Sequence, residues 1–256
     1  MPRNFKLTLA YDGHDFAGWQ VQPDRATIQG TLVSAIEQLT GEKTLPQGSG
    51  RTDAGVHALA QVASVSLASP IPTANIRKAL NDALPDSIRI LSVEEVAADF
   101  HARAAARAKT YRYRIYRGDI CPPFLARYVH HYPYPLHEES MIASAGVVQG
   151  EHDFTSFAAV DPESRKEGLE LSHVRTIFSS QWQREYGELI YTVRGNGFLH
   201  HMVRNLVGTF LMIGKGSLTA EDLRRILALR DRSAAAATAP ASGLFLMSVE
   251  YWGKLR

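Results

Sequence analysis

The chain has a single cysteine, Cys121, in 256 residues. One thiol cannot build an internal disulfide framework or a multi-thiolate zinc site, so the sequence fits a reducing, cytoplasmic setting. No stretch approaches the ~20 apolar residues that a membrane-spanning helix needs. The opening residues, MPRNFKLTLAYDG, are interrupted by Lys6 and Asp12 and do not read as a secretory signal. Neither sign of charge dominates: 28 basic against 26 acidic side chains leave a net +2, too mild to announce a polyanionic partner. What is present is an ordinary globular composition, 45% hydrophobic and 21% charged, long enough for one large domain or two modest ones.

Hydrophobic periodicity sets out the elements. Residues 4–11 alternate, with Phe5, Leu7, Leu9 and Tyr11 on one side, which predicts a half-buried strand. A helix follows from the Thr27 N-cap to a Gly41 stop, with Ile28, Leu32, Ala35, Ile36 and Leu39 inward. Strands are expected at 61–67, 87–95 and 109–116, with a helix from Thr73 to before Pro85. In the second half, helices are expected at 137–149, at 199–213 and from Thr219, and strands at 173–183, 188–194 and in the closing GLFLMSVEYW. Strands beside strands and helices beside helices argue for α+β with mainly antiparallel sheet. Residues 158–171 read as a polar loop, and the Ala-rich 231–242 as a helix end or a connector.

The segment with most chemical content is GSGRTDAGVHA at 48–58. Gly48, Gly50 and Gly55 allow tight backbone around Arg51, Thr52 and Asp53. A guanidinium two residues from Asp53 suits a carboxylate that must act as an anion. The competing reading is a turn whose Asp bonds its own backbone. His57 either orients this loop or caps a turn. No Walker A or dinucleotide fingerprint is present, since no Lys-Ser/Thr pair follows Gly50 or Gly55. The neighbours His130-His131 and His200-His201 are expected to point apart and not to chelate one metal. From His101 to Gly118 the chain carries Arg103, Arg107, Lys109, Arg112, Arg114 and Arg117 with no acid, interleaved with Tyr111, Tyr113 and Tyr116. On a strand, Arg112 and Arg114 share a face about 7 Å apart, near the spacing of successive phosphates.

Seven segments, YDGHDFAGWQVQ, GSGRTDAGVHALAQV, FHAR, KTYRYRIY, HDFTSF, GFLHHMVRNLVGT and TAPASGLFL, resemble in order the motifs of the tRNA pseudouridine synthase A family. The resemblance implies an isomerase that converts uridine to pseudouridine at positions 38–40 of the tRNA anticodon stem-loop. It implies the pseudouridine synthase fold, with an N-terminal α/β lobe (1–118) carrying the Asp loop and a C-terminal lobe (119–256) completing a basic cleft. It also implies a homodimer, tRNA as partner, and no metal or cofactor. Ala104, Lys109 and Ala60 depart from the family's usual residues; none touches the Asp53 motif.

By the same resemblance Asp53 is the catalytic carboxylate, Tyr111 lies against the target base and Arg204 pairs with the aspartate; Arg51 and Arg204 are then expected to share the work, one guiding the extruded nucleotide and the other fixing the carboxylate. Arg103, Arg107, Lys109, Arg112 and Arg114, with Arg165 and Lys166 in the polar loop, are candidate RNA contacts. Attack by Asp53 at C1′, attack at C6, and removal of a sugar proton all stay open. Two rivals share the features: an RNA-binding module without chemistry, and an N-glycosylase that stops after cleavage.

Overall fold

The computed structural model describes residues 2–160 and 172–252. In chain order the elements are β1 (Arg3–Tyr11), α1 (Ile28–Thr40), β2 (Gln47–Gly48), β3 (His57–Leu67), α2 (Thr73–Ala83), β4 (Ile88–Val96) and β5 (Ala108–Tyr116). They continue as β6 (His130–His131), α3 (Glu138–Ser144), β7 (Gly150–Asp153), β8 (Val174–Glu185), β9 (Glu188–Gly195), α4 (Met202–Gly214), α5 (Ala220–Leu229) and β10 (Leu244–Glu250). The architecture is α+β, as expected, and the strand pairing is mixed but mostly antiparallel. The chain divides into two compact units, residues 1–109 with 245–256 and residues 110–244.

In the first unit the strand order is β4-β1-β3-β10, with β2 also on β3. β1 runs antiparallel to both β3 and β4, and β10 joins β3 in parallel through Phe245↔His57 and Leu246↔Ala58. Alternation in β1 buries Phe5, Leu7 and Leu9 almost completely, and Ile28, Leu32 and Ile36 of α1 and Ile76 and Leu80 of α2 are core residues as well. Each such side chain contributes about 1.5–3 kcal/mol on burial. α1 begins and ends where the sequence places it: the Thr27 hydroxyl accepts from Gly30 N–H at 3.2 Å, and Gly41 adopts a left-handed φ of 74°. The β1–β3 register jumps from Leu9↔Gln61 to Tyr11↔Ala58, so three residues of β3 oppose two of β1. That bulge bends β3 at the end which leads into the Asp53 loop.

In the second unit the order is β5-β9-β8-β7, with β6 parallel to β5. Its core is aromatic: Trp182, Tyr191 and Phe210 form a cluster with centroids 4.9–5.8 Å apart. The helix expected over 137–149 is α-helical only to Ser144 and tightens into a 3₁₀ turn at Ala145–Val148. The physical cause is a tertiary bond: the Ala145 carbonyl accepts from Ser180 of β8 at 2.7 Å. α4 starts at Met202 rather than 199, because His201 takes a left-handed φ of 59°. α5 carries a full capping box between Thr219 and Asp222. The Ala-rich 231–242 is a connector with two short 3₁₀ turns.

Candidate active site

Asp53 stands in a loop between β2 and β3 and is half-buried, while Arg51 beside it is exposed and Thr52 is buried. Main-chain and side-chain bonds hold the loop along its length. Ser49 N–H donates to the Val62 carbonyl at 2.7 Å, and Lys109 Nζ donates to the Ser49 carbonyl at 2.6 Å. The Thr52 carbonyl accepts from Trp19 N–H at 3.0 Å, and the Asp53 carbonyl accepts from Val56 N–H at 3.1 Å. The approach of Trp19 requires glycine at position 18. Its φ is +93°, and a Cβ there would lie 2.6 Å from the Thr52 carbonyl oxygen. The loop is thus bonded at Ser49, Thr52 and Asp53, which restrains the backbone that carries the Asp53 carboxylate.

His57 is buried four residues beyond Asp53 and stacks on Phe245 of β10 at 4.7 Å. Its Nδ1 lies 3.1 Å from both Gly13 N and Asp12 Oδ1. One nitrogen cannot serve both. Accepting from Gly13 satisfies a buried N–H, and Asp12 Oδ1 already accepts from His14 N–H at 3.0 Å, so the bond from Gly13 is the one that counts. Of the two roles open in the sequence, this is the turn cap.

The remaining candidates of the first unit are Arg103 and Arg107, both exposed, and Lys109, which is half-buried. Through its bond to Ser49, Lys109 supports the Asp53 loop directly, which corrects the expectation that this departure from the family's usual residue leaves the Asp53 motif untouched.

In the second unit β5 alternates as expected, burying Tyr111, Tyr113 and Ile115. The Tyr111 ring meets Phe198 edge-on at 4.9 Å, which sets the plane of the ring. Tyr113 donates its hydroxyl hydrogen to the Pro240 carbonyl at 2.8 Å, and burial, only partly offset by the charge of Arg204, pushes its phenol upward. Arg204 is half-buried near the start of α4; its Nε donates to the Ala239 carbonyl at 2.8 Å, and Ala239 N–H donates back to the Arg204 carbonyl at 3.1 Å. The fully buried Asn205 carries the same connector, since its Oδ1 accepts from Thr238 at 2.7 Å and from Arg232 at 3.0 Å.

On the opposite face of β5, Arg114 makes a two-pronged pair with Glu188 of β9 at 2.7 and 2.6 Å. Arg112 keeps a buried Nε without a hydrogen-bond partner. Arg165 and Lys166 lie outside the described residues. The rings of His200 and His201 lie only 4.0 Å apart, which corrects the expectation that they diverge. The left-handed turn at His201 replaces the helical geometry on which that expectation rests. Sequence reasoning also missed Phe198 and Glu188. Glu188 carries no local signal, because β9 forms its hairpin with β8 and meets β5 only as a sheet neighbour, 74 positions from Arg114.

Comparison with known proteins brings these features together. A family model described as tRNA pseudouridine synthase matches residues 8–103 and 145–252, which puts the chain among the isomerases that act on uridine in tRNA. The chain is 54% identical over 249 residues to tRNA pseudouridine synthase A of Solibacter usitatus (strain Ellin6076), covering 97% of this chain and 100% of that one. It is 45% identical over 251 residues to the same enzyme of Lacticaseibacillus casei (strain BL23), covering 97% and 99%. For Brevibacillus brevis (strain 47 / JCM 6285 / NBRC 100599) the identity is 46% over 249 residues, covering 97% and 100%. The chain belongs to the tRNA pseudouridine synthase A family.

Proposed function

We propose that this isomerase acts on the uridines at positions 38–40 of the tRNA anticodon stem-loop, as a homodimer with the pseudouridine synthase fold and with Asp53 as its catalytic carboxylate. The reaction breaks the bond from ribose C1′ to uracil N1 and forms one from C1′ to C5. The C5 hydrogen leaves to water as a proton and N1 gains one, so the product is an isomer and no electrons are transferred. A single fixed carboxylate suits this chemistry, because the detached base needs only to be held and turned. The observation that carries the reading is the restraint on the Asp53 loop, bonded at Ser49, Thr52 and Asp53 while the side chain stays half-buried.

Tyr111, set edge-on by Phe198, offers its ring to the base; base–aromatic stacking contributes roughly 1–3 kcal/mol and tolerates rotation. Arg51 guides the extruded nucleotide and Arg204 orients the carboxylate. Extrusion costs a few kcal/mol, which phosphate contacts from Arg103, Arg107, Lys109, Arg112, Arg165 and Lys166 help offset, while Arg114 is held by Glu188.

The test uses tRNA transcripts tritiated at uridine C5, with one uridine retained at a time among positions 38, 39 and 40. The expected result is label released to water from these positions and from none elsewhere. Label kept on free uracil would indicate a glycosylase, and label kept on RNA a binding module. Release from other positions would overturn the assignment to the anticodon stem-loop.

A further inference from the structure

Gln61 is fully buried in β3, in a run whose neighbours Val62, Ala63 and Val65 are apolar core. Burying an amide is unfavourable unless its donors and acceptor are used. All are engaged here. Oε1 accepts from the Ser49 hydroxyl at 2.6 Å and from Val62 N–H at 3.1 Å, while Nε2 donates to the Gly50 carbonyl at 3.0 Å and reaches Tyr11 Oη at 3.5 Å. An apolar side chain of the same shape would strand the Gly50 carbonyl and the Ser49 hydroxyl.

Tyr11 acts on the far side of Arg51. Its hydroxyl lies 2.9 Å from Thr52 Oγ1. The phenolic oxygen accepts from Gln61 Nε2, and either the phenolic hydrogen or that of Thr52 fills the bond between the two hydroxyls. Burial, partly offset by the bonds from Thr52 and Gln61, pushes the phenol up to about 12, so Tyr11 keeps its phenolic hydrogen at neutral pH. The β3 bulge falls between Gln61 and the partner of Tyr11, Ala58.

We propose that Gln61 and Tyr11 are positioning residues for the isomerisation: through Ser49, Gly50 and Thr52 they fix the backbone on both sides of Arg51 and so aim the Asp53 carboxylate. The proposal rests on the reading of Asp53 as the catalytic carboxylate. A merely structural role would change folding; a positioning role changes the chemical step of folded enzyme.

The experiment compares full-length wild type with Tyr11→Phe, Thr52→Val, Thr52→Ser, the Tyr11→Phe/Thr52→Val pair, Gln61→Met and Asp53→Asn. Single-turnover release of C5 tritium, tRNA Kd and Tm are measured for each. Tyr11→Phe is expected to slow release about 10- to 100-fold, the scale of a sub-ångström to 1 Å misplacement, with Kd unchanged. The double variant is expected to be no slower than the slower single one, since both remove one contact. Thr52→Ser is expected to recover most of the rate lost in Thr52→Val. If Gln61→Met does not fold, Tyr11→Phe, which removes one oxygen, carries the test.

A folded Tyr11→Phe enzyme with wild-type release, beside an inactive Asp53→Asn, overturns the positioning role and leaves Asp53 standing. Losses that multiply in the double variant, or that track the unfolded fraction, overturn it as well. Wild-type release by Asp53→Asn overturns the catalytic assignment itself.

Discussion

At the scale of single residues, the basic strand shows how one side chain can have two readings. Arg114 has the sequence context of a phosphate ligand, yet its guanidinium is gripped by Glu188, with side chains 26% and 9% exposed. A two-pronged pair of this kind is charge-assisted and geometrically specific. Glu188→Gln is expected to destabilise by about 1–3 kcal/mol, below the ~3–5 kcal/mol of a fully buried pair because Arg114 retains contact with water. Thermal denaturation would register this as roughly 2–4 °C per kcal/mol. An unchanged Tm with tighter tRNA binding would instead mean that Glu188 masks a phosphate ligand.

At the scale of elements, α4 and the connector behind it show why a glycine sits in a helix. A Cβ at Gly208 would overlap the carbonyl oxygen of Ala237. The absence of that Cβ lets the 231–242 connector lie on the helix, where Ala236 N–H bonds Thr209 at 3.3 Å and Ala239 clamps Arg204. Gly208→Ala is expected to cost about 1–3 kcal/mol through overpacking. Under the role proposed for Arg204, it is also expected to slow turnover of the folded enzyme, because the carbonyl that holds Arg204 is displaced. A variant with lowered Tm but wild-type turnover would detach the connector from the chemistry.

The same elements mark what could be read beforehand. The long amphipathic segments were legible, down to the caps Thr27, Gly41 and Thr219, because local periodicity and capping chemistry decide them. Strands of two to four residues, β2, β6 and β7, were not, since they carry no period and exist only through their partners. The glycine-framed Arg51-Thr52-Asp53 was legible as a loop. The Tyr11, Gln61 and Lys109 bonds that hold it were not, because they join residues 41, 11 and 60 positions apart.

At the scale of the whole molecule, several titrating groups pull in one direction. His130 is held below its ordinary 6.5 by burial first, then by the charges of His131 and Lys215. Asp153 lies below its ordinary 3.8, chiefly through the hydroxyl of Thr155, with Arg230 and His173 adding. Glu138 lies below 4.5 because Arg184 and Arg117 together outweigh its burial, the largest single influence. In each case the unfolded chain binds more protons than the folded one, so stability falls as pH falls. The urea midpoint is expected to decline gently below about pH 6.5 as the His130 difference develops, then more steeply below about 4.5. His130→Phe should flatten the first stage alone. A midpoint that rises on acidification from pH 6.5 would reverse the sign assigned to these groups.

The proposed function converges on the Asp53 carboxylate, and its most direct measurement is single-turnover loss of C5 tritium from tRNA by Asp53→Asn at saturating enzyme. The substitution keeps size while it removes the anion and turns one acceptor oxygen into an N–H donor. Release abolished, with tRNA Kd and Tm at wild-type values, is the expected result. Release at the wild-type rate by a folded, tRNA-bound Asp53→Asn enzyme would contradict it.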